Sequence, residues 1–209
     1  MILVTGNEPI VDGVCSALDS LGRAYRRVDR LDADHVWQEG ATTVVLVEPL
    51  PRMAGSLSAS ERGLREVISA ANAPGVRSAV IVTPRPDVDA ELRAVRRSGI
   101  PYTILRPLPV VEPGSEADPH VLVTRELAGA PAAAVTADMV VDAVIGVLDG
   151  NACGQTLGIA PPPETTWGEL LARAGVSPRP VPRWRARLGR WFGARTFDAP
   201  VTNRVPAPA

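Results

Sequence analysis

The sequence predicts an α/β fold, a doubly wound parallel sheet with a small additional lobe toward the C-terminus. Short apolar, β-branched runs alternate with helical stretches from residue 2 to about residue 105. All but one of these runs are hydrophobic nearly throughout rather than at every second position, the pattern of strands covered on both faces. The 209 residues suit one domain with a small appendage, and 45% hydrophobic content supplies a sizeable core.

The runs lie at 2–5, 24–28, 42–47, 78–83 and 102–105; the exception is the second, which is mixed in polarity. Between them the spacing predicts helices at about 10–22, 58–72 and 87–98. The second begins Ser58-Ala59-Ser60-Glu61, a capping-box pattern, and its Leu64, Val67, Ile68 and Ala71 fall on one helical face. After Arg106 a proline-rich stretch to residue 119 reads as a loop. Val121-Leu122-Val123 reads as a strand, and Thr136-Ala137-Asp138 starts an apolar helix over about 137–149. Residues 154–160 form another strand, Pro161-Pro162-Pro163 a rigid spacer, and Thr165 or Thr166 caps a helix running to Ala174. The domain plan is therefore 1–182, with substrate-side segments from about 106, followed by a basic Trp/Arg/Pro-rich tail at 183–209.

A net charge of −1 argues against a nucleic-acid binder, and no stretch reaches the ~18 apolar residues of a membrane span. All 22 basic residues are Arg. Without Lys, no side-chain amine can form a Schiff base, act as a general base or orient a cofactor ribose. Cys15 and Cys153 lack CxxC spacing, and no ligand spacing surrounds His35 or His120, so no metal site is expected. Reduced cysteines and the lack of a leader pattern point to the cytoplasm.

The turn after the first run is Thr5-Gly6-Asn7-Glu8-Pro9-Ile10-Val11-Asp12-Gly13. It resembles the T-G-x-x-G-x-x-G opening of the extended and atypical (NmrA-like) short-chain dehydrogenase/reductases. Thr5 and Gly6 match; the second glycine falls on Pro9 and the third on Asp12, with Gly13 one residue late. Further along, Ser98-Gly99-Ile100-Pro101-Tyr102-Thr103-Ile104-Leu105-Arg106-Pro107 is similar to the S-G-L-x-Y-T-I-L-R-P segment of atypical members, and residues 75–83 resemble their fourth strand. Gly154-Gln155-Thr156-Leu157, Glu169-Leu170-Leu171 and Pro182-Arg183-Trp184 resemble their closing substrate-side segment.

The resemblance implies a Rossmann-like fold with NAD(P) against Thr5, Gly6, Asn7, Ile10, Val11, Asp29, Arg30, Thr83 and Pro107. Asp29 fits the acid that reads a ribose 2′-hydroxyl, and Arg30 the position that takes a 2′-phosphate. The departures point the other way. Pro9 has no N–H for a phosphate. Glu8 and Asp12 bring two carboxylates to a helix start; at about 4 Å they would repel by roughly 4 kcal/mol unless turned apart. The Tyr-x-x-x-Lys pair of the redox enzymes is absent, since the chain has no Lys and its only tyrosines, Tyr25 and Tyr102, fall inside predicted strands.

Glu48, just after the third strand, is the one candidate general base at the edge where ligands sit. In the tail, Trp184, Leu188, Trp191 and Phe192 form a helical stripe among arginines, suited to packing on the chain's own lobe, a partner or second copy, or an anionic surface. Two functions stay open: a non-redox member binding a small molecule or partner as sensor, accessory subunit or ancillary biosynthetic factor, and an NAD(P)-dependent reductase, dehydratase or epimerase with a reduced site.

Overall fold

The computed structural model describes residues 1–6, 8–29, 40–48, 75–84, 93, 97, 99–111, 120–150 and 154–185. The helix expected at 58–72 lies outside them. Of the one expected at 87–98, only Arg93 and Arg97 lie within, and both are helical.

The chain divides into two compact units: residues 1–110 with 137–159, and residues 111–136 with 160–209. The first holds a six-stranded sheet with the order β2-β1-β3-β4-β5-β7. Its strands are β1 (Ile2–Gly6), β2 (Tyr25–Arg27), β3 (Thr43–Val47), β4 (Ser78–Val82), β5 (Tyr102–Pro107) and β7 (Gln155–Ile159), each parallel to its neighbours. The expected strands are all present. The chain steps outward from β1 to β2, then crosses back to place β3 on the other side of β1. That reversal makes β1/β3 the topological switch point, and the C-terminal strand ends the edge where such sheets take ligands.

Both faces are covered, which explains the continuous apolar runs. Leu3, Val44, Leu46, Ala79, Ile81, Tyr102 and Ile104 form one buried cluster. The alternate residues Val4, Val45, Val80, Val82 and Leu105 are equally buried and point to the opposite face. Helices α1 (Ile10–Ser20) and α3 (Ala137–Asp149) pack together and contact β1, β4 and β5. α1 buries Ile10, Val11, Val14, Cys15 and Leu18, the i, i+4, i+8 face with its flank. Gly13 lets α3 close in: a Cβ there would stand 2.7 Å from Cγ2 of Val141. Arg23 then ties the turn after α1 to the end of α3, donating to the Leu148 carbonyl at 3.2 Å and pairing with Asp149. That places a cation at the negative end of the helix. Helix α3 and strand β7 thus belong to the sheet unit although they follow residue 106.

The second unit contains β6 (His120–Thr124), α2 (Arg125–Ala128), α4 (Trp167–Arg173) and β8 (Ser177–Val181). Thr166 caps α4 with a full capping box. Its side chain accepts from the Glu169 N–H at 3.3 Å, and the Glu169 carboxylate accepts from the Thr166 N–H at 2.8 Å. β8 is not legible in the sequence because Pro178 and Pro180 argue against a strand. Among the described residues it pairs with β6 alone; the prolines remove N–H donors from a strand that uses them there on one side only.

Candidate functional site

The C-terminal rim of the sheet gathers residues from four neighbouring strands. Thr5 and Gly6 end β1, Glu48 follows β3, Thr83 follows β4, and Arg106 and Pro107 end β5. The parallel ladder continues one residue past β3 and β4: Glu48 donates its N–H to the Val82 carbonyl and Thr83 to the Leu105 carbonyl, both at 2.9 Å. This sets Glu48 and Thr83 side by side. The Thr83 hydroxyl donates to Oε2 of Glu48 at 2.6 Å, with both residues buried. Arg106 is next to Thr83 in the same register, half-buried on the same face. A carboxylate, a hydroxyl and a guanidinium therefore form one transverse row at the ligand-binding edge.

Gly6 has φ +126, and a Cβ on it would lie 1.9 Å from the Val47 carbonyl oxygen. Its lack of a side chain is therefore demanded by the close approach of β3, without reference to any ligand. Thr5 is 3% exposed, and the side chains of Ile10 and Val11 are in the core. Asp29 is exposed beyond the end of β2. Asn7 and Arg30 lie outside the described residues.

Between β1 and α1 stands an ion cluster that the sequence reading missed. Arg27, the last residue of β2, pairs through Nη1 with Asp12 at 2.5 Å and through Nη2 with Glu8. The expected repulsion between the two carboxylates is relieved by this guanidinium, and both turn outward to it, 63% and 53% exposed. The pairing raises the pKa of Arg27, mainly through its hydrogen bond to Glu8. The legible signal was Glu8 and Asp12 four residues apart, opposite an edge strand reading Tyr25-Arg26-Arg27.

A pyrophosphate needs close backbone approach and free N–H donors at this turn. Pro9 occupies the N-cap of α1 and has no N–H, Gly6 already serves the contact with β3, and Gly13 serves the contact with α3. Two carboxylates and one guanidinium leave a net −1 at the positive end of the helix. Pro9 and the two paired carboxylates depart from the pattern that cradles a dinucleotide pyrophosphate.

Both tyrosines lie at the other edge. Tyr25 and Tyr102 are the first residues of β2 and β5, at the N-terminal ends of parallel strands. Tyr102 is buried in the core, and Tyr25 donates to Oδ2 of Asp19 at 2.8 Å, which with some burial pushes its pKa up to about 12. Burial raises the Cys15 thiol pKa, in keeping with a small apolar role. Among the described residues no group of three or more His, Cys, Asp or Glu could hold a metal ion, and no helix is long and apolar enough to cross a membrane. Trp184 is 60% exposed, with the Arg185 guanidinium 5.5 Å from its ring centroid. Leu188, Trp191 and Phe192 lie outside the described residues.

This fold has counterparts among solved structures. The fold is Rossmann-like. The chain is similar to the Bordetella bronchiseptica enzyme WbmF in complex with NAD+ at 10% identity and a TM-score of 0.57, covering 93% of this chain and 87% of that one. It is similar to a UDP-N-acetylglucosamine 4-epimerase from Bacillus cereus at 11% identity and 0.54, covering 95% and 94%. It is also similar to a Citrobacter sp. triphenylmethane reductase complexed with NADP(H), at 16% and 0.51, covering 93% and 84%. No protein-family model matches the sequence, and no curated protein matches it. At these identities the likeness establishes the Rossmann-like fold and leaves chemistry to the residues themselves.

Proposed function

We propose that this chain is a non-redox, degenerate member of the atypical dehydrogenase/reductase group, binding a small molecule at the C-terminal rim of its Rossmann-like sheet as a sensor or ancillary factor. The observation that carries this reading is the placement of the tyrosines. A proton donor for carbonyl chemistry must stand at the rim, and both tyrosines begin their strands at the opposite edge. With no Lys in the chain, the Tyr–Lys pair that lowers a phenol pKa and orients a nicotinamide ribose cannot form. What the rim offers instead is the row of Glu48, Thr83 and Arg106, polar groups able to anchor and orient a ligand. The exposed Trp184 begins the basic tail, which in the same proposal docks on a partner or a second copy.

The second reading is an NAD(P)-dependent reductase, dehydratase or epimerase with a reduced site. It is favoured by the outward turn of Glu8 and Asp12, which keeps their carboxylates on Arg27. In that reading Glu48 is the candidate base.

Calorimetric titration of the full chain with NADH and NADPH separates the two. The proposal expects no saturable heat at millimolar cofactor. Low-micromolar binding of either would overturn it in favour of the enzyme reading.

A further inference from the structure

We infer that the Glu8–Arg27–Asp12 cluster is a specificity device that rejects phosphate-bearing ligands by charge, and so restricts the rim to ligands that are uncharged or cationic where they meet this turn. The inference rests on the non-redox reading above and adds the chemical class of ligand.

The cluster is built from separate parts of the chain. Glu8 and Asp12 flank the start of α1, and Arg27 reaches them from the end of β2, 19 and 15 residues away. The guanidinium of Arg27 faces two carboxylates at once, so it is already engaged. An arriving phosphate would have to displace a carboxylate from Arg27 and would then face that released charge. The sum over the cluster is −1, at a helix end that by itself attracts anions. Substituting both carboxylates by amides changes the sum from −1 to +1 and frees Arg27 without altering side-chain size.

The probes are NADPH and inorganic pyrophosphate, titrated into the full chain as wild type, as Glu8→Gln/Asp12→Asn, and as Arg27→Gln. Circular dichroism confirms that each variant retains its helix and sheet. The double amide variant is expected to bind both probes at least tenfold more tightly than wild type, and to lose that gain as salt is raised from about 0.05 to about 0.5 M. Arg27→Gln, with a sum of −2, is expected to bind no better than wild type. Equal affinity of wild type and the double amide variant would overturn the inference, because exclusion would then lie in the Pro9 backbone rather than in charge; the non-redox reading would survive. A gain in Arg27→Gln would overturn it as well. Micromolar NADPH binding by the wild type would instead overturn the reading on which the inference rests, so the two failures are distinguishable.

Discussion

The Val47 carbonyl oxygen lies 1.9 Å from where a Cβ on Gly6 would stand. The glycine that most resembles a nucleotide motif is thus required by strand pairing. Gly6→Ala is expected to destabilise the protein by roughly 3 kcal/mol, combining a strained φ with a main-chain clash that no rotamer relieves. Urea unfolding followed by circular dichroism measures it. A loss below ~1 kcal/mol would show that β1 and β3 can separate at this point.

Gly13 and Val141 are coupled differently, because the atom a Cβ would meet at 2.7 Å is the end of a side chain. In a Val141→Ala background, Gly13→Ala should stabilise α1 by about 1 kcal/mol, the helix-propensity gain. In the wild-type background part of that gain is lost to moving Val141. A double-mutant cycle by denaturant melts should give a coupling of at least ~0.5 kcal/mol; additivity would mean that α1 and α3 are not packed through this pair.

Thr83 hydrogen-bonds a buried carboxyl group. Thr83→Val keeps the shape and removes the donor to Glu48, so it should cost about 1–3 kcal/mol, with Thr83→Ser recovering much of the loss. Thermal unfolding compares the three. A neutral Thr83→Val would show that Glu48 does not depend on this hydroxyl.

Two titrations carry signs that can be checked. Tyr25 is raised to about 12 by its hydrogen bond to Asp19, so its contribution is present below the ordinary phenol value of 10 and is lost as pH rises from 10 through 12. Ultraviolet titration should show the Tyr25 phenol ionising late, and Asp19→Asn should bring it back toward 10. Glu169 is lowered by the Thr166 backbone and side-chain hydrogen bonds, so its capping contribution is present above the ordinary carboxyl value of 4.5 and is lost as pH falls through its folded value. Thr166→Ala should cost about 1 kcal/mol at neutral pH and flatten the acid limb of stability; an unchanged acid limb would remove the cap from that role.

What the sequence determined by itself is local or compositional. Short, β-branched apolar runs with no alternation suit strands buried on both faces, and the Thr166–Glu169 spacing marks its helix start wherever the helix packs. A chain without Lys has no lysine chemistry in any fold. The tertiary structure decided what depends on residues distant in sequence becoming neighbours. Strand order set Glu48 against Thr83 and sent both tyrosines to the far edge, while pairing with β6 made a strand of Pro178 and Pro180. Arg27 stood two residues from the Asp29–Arg30 pair that motif spacing selects, and only the packing of β2 beside α1 showed which cation reaches Glu8 and Asp12. Periodicity and capping act within a few residues along the chain; register and ion pairing act across space, between segments whose separation in sequence carries no fixed distance.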